Sequence, residues 1–374
     1  MNPVEAILQK DEFSRDDLII LLSSGIEERN LIYSKAAEIK QKYVGNKVYF
    51  RGLVEFSNIC NKNCYYCGIR AKNQNVERYM VEEEEVINAA RYAYESGYAS
   101  MVLQSGERND RRFVEMISSL LDKINKVTDN KMGITLSLGE QTEETYRKWM
   151  ELGARRYLLR IESSNRDLYH KIHPVDATHD YDSRLNCLKT LKKLGYQVGT
   201  GVMIGLPFQT VENLADDLLF FKEFDIDMCG MGPYIEHEDT PLWEYRDQLL
   251  PKEERFNLSL KMVALLRIMM KDINIAATTA MQTLDKMGRE KAIKVGANII
   301  MPNLTPVKYR ESYLLYEDKP CIDEEASECK NCLEARIHIA GAEIGYNEWG
   351  DSIHYKNKNQ ADEKTEESGS NESI

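Results

Sequence analysis

Six of the eight cysteines fall into two tight groups of three, and these are the residues best able to do chemistry. The first group is Cys60, Cys64 and Cys67, with the spacing C-x₃-C-x₂-C. The second is Cys321, Cys329 and Cys332, with the spacing C-x₇-C-x₂-C. Grouping of this kind is unlike a disulfide framework and indicates metal or redox chemistry.

The first group offers three thiolates on one loop and no fourth ligand nearby. A structural zinc site normally has four protein ligands, often as two separated pairs, and the next cysteine along the chain is Cys187. Three thiolates suit a [4Fe–4S] cluster in which one iron has no protein ligand. An incomplete zinc site and buried free thiols are the alternatives. We therefore predict a cluster whose open iron can bind a substrate or cofactor.

Eight strand-like apolar runs must position these groups. They lie at 48–56, 100–104, 133–138, 156–161, 198–204, 228–234, 275–279 and 298–301. Stretches of helical periodicity separate them. Repeated strand-to-helix units imply parallel strands with right-handed crossovers, and eight units predict an α/β fold of the (β/α)8 TIM-barrel type. An open doubly wound sheet is the alternative. In a barrel, ligand-binding residues collect at the carboxyl ends of the strands.

The chain divides into four predicted segments. Residues 1–46 form an N-terminal helical segment that is expected to cover the bottom of the barrel, and residues 47–305 form the barrel. Residues 306–355 form an extension that bears the second cysteine group, which is expected at the surface. Residues 356–374 are nearly all polar or charged, which predicts a disordered tail.

Composition restricts the class of function. The chain has 374 residues, of which 43% are hydrophobic and 29% are charged, with a net charge of −12. This is the balance of a soluble globular protein, and the negative charge disfavours non-specific binding to nucleic acid or anionic lipid. No apolar run approaches the ~20 residues that cross a bilayer, and the acidic N-terminus is unlike a signal peptide. We expect a cytoplasmic protein with no nucleic-acid or membrane partner.

The first cysteine group resembles the signature of the radical S-adenosylmethionine (SAM) enzymes. The resemblance rests on "FSNICNKNCYYCGIR", which has an aromatic residue, Tyr66, immediately before the third cysteine and follows the first predicted strand. It implies that SAM binds the open iron through its amino and carboxylate groups. It also implies an external electron donor, since one electron cleaves SAM to a 5′-deoxyadenosyl radical.

The same resemblance implies a set of cofactor-binding residues at the strand ends. The string Gln104-Ser105-Gly106-Glu107 is similar to the motif with which the superfamily holds the SAM amino group. Arg160 and Glu162 alternate along a predicted strand and should share a face, although an internal ion pair without a ligand is the alternative. The full set is Tyr66, Gln104, Ser105, Glu107, Ser137, Arg160, Glu162 and Arg184. No catalytic acid or base is singled out.

Longer strings resemble the HydE family of [FeFe]-hydrogenase maturases, from about residue 48 to 335. They include "MIGLPFQT", "AATTAM" and "ANIIMPNLTPVKYRESYLLY". The resemblance implies assembly of the hydrogenase H-cluster, in which the radical acts on a small organometallic substrate of iron, CO, cyanide and cysteine. The other hydrogenase maturases are then partners, and the second cysteine group holds an accessory [2Fe–2S] or [4Fe–4S] cluster. The implied substrate contacts are Thr135, Met228, Thr278, Thr279, Met301 and Tyr309.

Two other functions stay open, and one departure from the family pattern stands out. A radical SAM mutase that acts on a small amino acid, similar to methylornithine synthase, would share every SAM-binding feature. A non-enzymatic iron–sulfur carrier would need neither an open iron nor polar strand ends. Where relatives commonly have Gly-Leu-Pro-Gly, this chain ends the string with Phe208, which is expected to reshape the cavity rim or the approach of SAM.

Overall fold

Twelve strands are present in the computed structural model, which describes residues 2–360. They are β1 (Lys47–Phe50), β2 (Gly52–Ser57), β3 (Ser100–Ser105), β4 (Gly133–Ser137), β5 (Arg156–Leu158), β6 (Gln197–Thr200), β7 (Met203–Ile204), β8 (Met228–Cys229), β9 (Gly232–Pro233), β10 (Asn274–Ile275), β11 (Ile299–Ile300) and β12 (Glu343–Ile344). Each predicted run overlaps at least one strand, but 48–56, 198–204 and 228–234 are each interrupted.

The main sheet is parallel and has seven strands in the order β2-β3-β4-β5-β6-β8-β10. The short strand β11 connects its two edges. Ile299 bridges to Ala276 beside β10 and pairs with Tyr49 of β1, which continues into β2. Met101, Val102 and Leu103 of β3 are all buried, as expected for parallel strands covered on both faces. The prediction of an α/β fold with parallel strands is confirmed.

Helices connect the strands and form an outer layer. They are α1 (Pro3–Ile7), α2 (Arg15–Ser23), α3 (Ile26–Tyr43), α4 (Glu83–Glu95), α5 (Arg111–Val127), α6 (Glu143–Glu151), α7 (Arg166–Ile172), α8 (Tyr181–Lys193), α9 (Val211–Phe224), α10 (Lys252–Met269), α11 (Thr279–Leu284), α12 (Gly288–Val295), α13 (Val307–Arg310) and α14 (Ala326–Ile339). A 3₁₀ helix spans Pro241–Gln248. Within residues 2–360, no helix combines the length and apolar character that a bilayer span requires.

Side-chain caps explain where several of the outer helices begin. Asp110, Thr142 and Asp180 precede α5, α6 and α8, and each accepts a hydrogen bond from a backbone N–H of the first helical turn. Those amides have no partner within the helix, so a short oxygen-bearing side chain at this position stabilises the start. Helices α5 and α6 begin after five-residue loops that follow β3 and β4, whereas α8 follows α7.

The segment that covers the bottom of the barrel differs from the prediction. Helix α2 packs against α9, and α3 packs against α10 and α12, so these N-terminal helices lie on the outer helix layer. Residues 349–351 cover the barrel floor instead: Arg51 donates to the Gly350 carbonyl, and Arg156 donates to the Trp349 carbonyl and to Asp351. Buried guanidinium groups need acceptors, and this C-terminal segment supplies them.

The first part of the predicted disordered tail is helical. Residues 353–360 are helical, and Lys358 pairs with Asp225 at 3.0 Å and with Asp227 at 2.8 Å. The polar composition of 356–360 therefore reflects ion pairs with the barrel rather than disorder. The remaining part of the predicted tail, 361–374, lies outside the described residues.

This C-terminal attachment should make stability depend on pH. His354 lies between two carboxylates, with Nδ1 2.9 Å from Asp272 and Nε2 2.6 Å from Asp225. The hydrogen bond to Asp272, with that to Asp225, raises the pKa of His354 above its usual value near 6.5. Below pH 6.5 both nitrogens donate; as pH rises through the raised pKa, one donor and the charge are lost. We expect the melting-temperature difference between the native protein and His354→Gln to shrink from pH 6 to pH 9. A difference independent of pH would contradict this.

Candidate functional site

The first cysteine group lies on the loop between β2 and α4, as predicted. Cys60 is the best defined of the three: its Sγ accepts backbone N–H groups from Lys62 at 3.4 Å and from Glu107 at 3.3 Å. Glu107 follows β3, so the loop after the second strand contacts the cysteine loop directly. Burial raises the pKa of Cys60 overall, and the two N–H donors act against burial by favouring the thiolate, which is the form that ligates iron.

The three thiols crowd one another in a buried region. Burial raises the pKa of Cys64 to about 12, and the neighbouring Cys60 adds to the effect. Burial, together with Cys64 and Cys60, also raises the pKa of Cys67. Three thiolates this close together repel one another, so they can coexist here only when a cationic group binds them. The donor set therefore fits an iron–sulfur cluster.

Arg78 holds this loop together, and sequence reasoning missed it. Its guanidinium donates to the backbone carbonyls of Asn58 (2.8 Å), Ile69 (2.8 Å), Arg70 (2.6 Å) and Asn73 (2.9 Å). These carbonyls lie on both sides of the three cysteines in sequence. Within residues 2–360, Arg78 forms no ion pair with a carboxylate, and its charge acts on Cys60 and Cys67.

Two histidines after α7 support the loop from the other side. His179 Nε2 accepts the Asn63 N–H at 2.9 Å, and its Nδ1 lies 2.7 Å from Asp176. His173 Nδ1 lies 2.9 Å from the Tyr169 carbonyl, which can only accept, so Nε2 accepts from Tyr66 at 3.1 Å. Burial lowers the pKa of His173, which keeps the imidazole neutral. The predicted aromatic residue is thus fixed in orientation.

Four buried charges form a closed network beside Cys60. Lys62 lies 3.0 Å from Glu107 and 3.1 Å from Glu140, and Arg184 lies 3.3 Å and 2.9 Å from the same two carboxylates. Burial lowers the pKa of Lys62, but the two carboxylates outweigh it and raise the pKa overall. Gly139, at φ +75°, leaves room for the Glu107 side chain, because a Cβ there would lie 2.0 Å from Glu107 Cγ. The predicted residues Glu107 and Arg184 are therefore brought together.

A cavity of about 210 Å³ lies beside this loop, inside the carboxyl ends of the strands. This volume has room for on the order of seven water molecules, at about 30 Å³ each. Ten residues proposed from the sequence for cofactor, substrate or metal line it: Tyr66, Cys67, Gln104, Arg160, Glu162, Thr278, Thr279, Met301, Cys321 and Cys329. The strand-end rule of barrels is the physical reason that residues so distant in sequence meet here.

Arg160 and Glu162 both reach the cavity, but by a different route from the one predicted. Strand β5 ends at Leu158, and Glu162 has φ +65°, so a bend rather than strand alternation brings the two side chains together. Arg160 Nη2 lies 2.9 Å from Glu162 Oε2. Although the two side chains form this ion pair, Glu162 Oε2 and Arg160 Nε have no hydrogen-bond partners in the described residues. Burial raises the pKa of Glu162 against the effect of Arg160. This pair has unused capacity for a ligand.

The second cysteine group is closer to the cavity than predicted. Cys332 is exposed, but Cys329 is buried, and Cys321 and Cys329 line the same cavity as Cys67. Helix α14 carries Cys329 and Cys332 three residues apart, on one face. Arg310 donates to the carbonyls of Cys321 (3.1 Å) and Glu324, which draws the extension over the end of the barrel.

The remaining predicted substrate residues divide between two cavities. Thr278 and Thr279 begin α11, and Thr279 Oγ1 accepts from Arg289 at 2.9 Å. Thr135 and Met228 line a second cavity of about 30 Å³, deeper in the barrel, which Met301 also borders. In the described residues, the Thr135 hydroxyl has no hydrogen-bond partner.

Tyr309 is not brought to the cavity. Its hydroxyl donates to Glu85 of α4 at 2.9 Å, and its ring stacks on Tyr79 with centroids 4.8 Å apart. The turn of α13 directs it outward, while Tyr316 lines the cavity and Gln104 donates to the Tyr313 hydroxyl at 3.3 Å. The sequence interpretation therefore selected the wrong tyrosine of this segment as a cavity residue.

Three further predicted positions lie outside the cavity lining. Ser105 and Ser137 are half-buried at the ends of β3 and β4, and the Ser105 hydroxyl donates to the Gly106 carbonyl at 2.7 Å. Phe208 lies on the outer surface against Tyr245, so it does not reshape the cavity rim as expected. Its φ of +67° explains the direction, because this backbone turns the side chain outward.

Two cavity residues carry charge that no sequence pattern indicated. Lys319 lies 2.7 Å from Glu55 in a buried pair, and Arg289 lines the cavity next to Thr279. Glu55 belongs to a predicted buried strand, and a carboxylate at such a position could have indicated that a cation lies nearby in the cavity. Within residues 2–360, no three His, Cys, Asp or Glu side chains are arranged around one metal ion. A four-iron cluster differs in this respect, since each thiolate binds its own iron.

Comparisons with known proteins agree with the geometry. The model of the radical SAM superfamily matches residues 54–221. The [FeFe] hydrogenase maturase subunit HydE of Thermotoga maritima is 46% identical over 346 residues, covering 92% of this chain and 95% of that protein. The 3-methylornithine synthase of Methanosarcina acetivorans is 28% identical over 305 residues, covering 79% and 81% of the two chains.

Solved structures show the same fold. Methylornithine synthase (PylB) has a TM-score of 0.78 at 24% identity and covers 92% of this chain and 98% of its own. The FeFe-hydrogenase maturase HydG of Carboxydothermus hydrogenoformans has a TM-score of 0.75 at 20% identity, with 92% and 79% covered. The cysteine loop, the cavity and the full-length similarity together establish that this chain is a radical SAM enzyme that belongs to the HydE family.

Proposed function

We propose that this protein is a maturase of [FeFe]-hydrogenase that acts on a small substrate containing iron, CO, cyanide and cysteine. The similarity to HydE over nearly the full length of both chains supports this. Cys60, Cys64 and Cys67 would hold a [4Fe–4S] cluster, which when bound and reduced would supply the electron that cleaves SAM to a 5′-deoxyadenosyl radical. Reductive SAM cleavage needs little acid–base chemistry from the protein, so its residues mainly bind, orient and exclude water.

The SAM contacts that we propose lie between the cysteine loop and the cavity. Tyr66, fixed by His173, offers its ring to the cavity wall. Glu162 Oε2 is paired with Arg160 but accepts no hydrogen bond within residues 2–360, so it can accept one from an amino or hydroxyl group. Gln104, Ser105, Glu107, Ser137, Arg160 and Arg184 complete the proposed set. Glu107 and Arg184 already pair with each other and with Lys62 and Glu140, so we assign them to shaping the site through this network.

The substrate is proposed to occupy the far side of the same cavity. Thr278 and Thr279 provide hydroxyls, and Arg289 provides positive charge beside them. Thr135, Met228 and Met301 border the deeper cavity and complete the proposed contacts. The single observation that carries the function is this continuous cavity, which joins Cys67 to the N-terminus of α11 in a chain 46% identical to HydE.

A turnover assay tests the proposal. The anaerobically reconstituted protein is reduced with dithionite in the presence of SAM, with and without an iron–CO–cyanide–cysteine complex. We expect consumption of that complex together with deoxyadenosine formation. SAM cleavage that leaves the complex intact, but rearranges the carbon skeleton of a small amino acid, would instead establish a mutase.

A substitution at Glu162 tests the proposed SAM contact. Glu162→Gln keeps the shape but loses the charge, so SAM binding should weaken by on the order of tenfold, the scale of one charge-assisted hydrogen bond. Calorimetry on the anaerobic protein measures the affinity. Unchanged affinity with a lowered melting temperature would reveal a purely structural pair with Arg160.

We propose that the second cysteine group binds an accessory iron–sulfur cluster. The triple variant Cys321→Ala, Cys329→Ala and Cys332→Ala should lose the accessory iron but keep at least half of the substrate-free SAM cleavage. The reason is that none of these residues contacts the loop that carries the first group through a hydrogen bond. Iron analysis and deoxyadenosine yield measure the two effects. A folded variant that retains the first cluster yet makes no deoxyadenosine would refute this separation.

The boundaries of the segments, the cellular location and the partners of the chain are also proposals. We propose a complete (β/α)8 barrel over 47–305, a helical segment over 1–46 and a cysteine-bearing extension over 306–355. The linkage of both sheet edges through β11 supports the barrel. We further propose a cytoplasmic location, with the other hydrogenase maturases as partners.

A further inference from the structure

The backbone of Glu162 has a conformation that a residue with a side chain rarely adopts. Its φ of +65° lies in the left-handed region, where the Cβ of an L residue is crowded by the backbone. A residue keeps such a conformation only when the contacts on both sides of it fix the chain. The groups that fix residues 161–164 therefore determine where the Glu162 carboxylate lies in the cavity.

The chain up to Glu162 is fixed by the segment that runs from β6 to β7. The Ile161 N–H donates to the Thr200 hydroxyl at 3.0 Å. The Glu162 N–H donates to the Gly201 carbonyl at 3.0 Å, and the Glu162 carbonyl accepts from the Met203 N–H at 3.2 Å. These hydrogen bonds attach the N-terminal half of the turn to its neighbour in the barrel.

Asp217 of α9 fixes the residues that follow Glu162. Its Oδ1 accepts two hydrogen bonds from Ser164, one from the backbone N–H at 2.7 Å and one from the hydroxyl at 2.6 Å. The Ser164 carbonyl accepts from the Tyr181 hydroxyl of α8 at 2.8 Å. The C-terminal half of the turn is therefore held by one side chain from each of two outer helices.

The packing of α9 does not account for an aspartate at this position. Asp217 is fully buried, on a helix face that it shares with Leu214, Leu218 and Phe221. Within residues 2–360 its Oδ2 has no hydrogen-bond partner, and burial raises the pKa of Asp217 to about 7. A buried carboxylate without a cation lowers stability. The two hydrogen bonds to Ser164 are the gain that this residue brings.

We propose that Asp217 is a positioning residue for SAM binding, because it fixes the Ser164 backbone and so directs the Glu162 carboxylate into the cavity. The proposal rests on the proposed contact between Glu162 and SAM. Among the described residues, those that line the cavity do not include Asp217, so its effect on SAM passes through Glu162. The hydrogen bonds that Asp217 accepts, rather than its charge, perform this role.

Substitutions at Asp217 separate the hydrogen bonds from the charge. Asp217→Ala removes the acceptor, so SAM affinity, measured by calorimetry on the anaerobic reconstituted protein, should fall by up to the roughly tenfold loss expected of Glu162→Gln. Asp217→Asn keeps an acceptor oxygen for Ser164 without the charge and should weaken SAM binding by less than about threefold. Asp216→Ala is the matched control, since it removes a carboxylate of the same helix that pairs with Arg15 at the surface. It should leave SAM affinity unaltered.

A double variant distinguishes positioning from general destabilisation. Because Asp217 acts through Glu162, Asp217→Ala/Glu162→Gln should bind SAM no more weakly than Glu162→Gln alone, whereas an independent structural effect would add to that loss. Ser164→Ala removes one of the two donors with little change to the core, and it should also weaken SAM binding, by about twofold to threefold. This variant tests the same contact if Asp217→Ala does not fold.

Crystal structures of the native protein and of Asp217→Ala test the positioning without SAM. We expect the variant to lose the 2.9 Å contact between Arg160 and Glu162. A Glu162 side chain that stays in place would overturn the proposal, as would additive losses in the double variant or equal losses in Asp217→Ala and Asp217→Asn. A displaced Glu162 in a protein with native SAM affinity would confirm that Asp217 positions Glu162 and would count against the proposed SAM contact instead.

Discussion

Replacing Cys64 by alanine should abolish SAM cleavage. Cys64 lies between the other two ligands in the loop, and two thiolates cannot hold a four-iron cluster with its correct charge. Cys60→Ala and Cys67→Ala should act in the same way, since the three thiols lie close enough to shift one another's pKa. Deoxyadenosine is measured by chromatography after anaerobic reconstitution and reduction.

A fourth cysteine provides the control for this experiment. Cys187 lies on α8, packs against the core and has its Sγ 3.7 Å from the Gln141 carbonyl. Cys187→Ala should therefore keep its iron and its activity. Measurable deoxyadenosine from reduced Cys64→Ala, or an equal loss in Cys187→Ala, would contradict the assignment of the ligands.

The periodicity of apolar residues was sufficient to predict the order of the strands and helices, but not the residues at which they begin and end. Each of the eight apolar runs overlaps a strand, because burial on both faces requires continuous apolar residues. The bend after β5 was not predictable from this pattern, since Glu162 adopts φ +65° to meet Arg160. The barrel floor was missed for a similar reason. The contact between Arg51 and Gly350 joins positions 299 residues apart in sequence and leaves no local signal.

The candidate site was predictable wherever residue type alone limits the chemistry. Three closely spaced cysteines permit few functions, and strand-end positions such as Gln104 and Thr278 follow from barrel geometry. Which of Tyr309, Tyr313 and Tyr316 lines the cavity depends on the turn of α13, and the helix propensities of these residues do not determine that turn. Lys319 and Arg289 were missed because a lone cation in a sequence is far more often a solvated surface residue.

Arg78 is the clearest case of a residue whose importance only the structure reveals, and its substitution should have a large effect. Arg78→Gln removes donors to the carbonyls of Asn58, Ile69, Arg70 and Asn73. Each hydrogen bond from a charged donor contributes about 1.5–3 kcal/mol, so the loop should open. We expect less than about a tenth of native SAM cleavage, since about 1.4 kcal/mol already corresponds to a factor of ten. Bound iron should fall in parallel.

The position of Arg78 determines which controls are informative. Arg78→Lys keeps the charge near Cys60 and Cys67, but an ammonium group cannot reach four carbonyls that a planar guanidinium spans. Its iron content should therefore lie between those of the native protein and Arg78→Gln. Arg111→Gln removes an exposed arginine of α5 that, among residues 2–360, pairs only with Glu115, and it should change nothing. Circular dichroism should show an intact barrel in all three variants, because the loop lies outside the sheet. If Arg78→Gln binds iron and cleaves SAM like the native protein, the four carbonyl contacts do not organise the cluster loop.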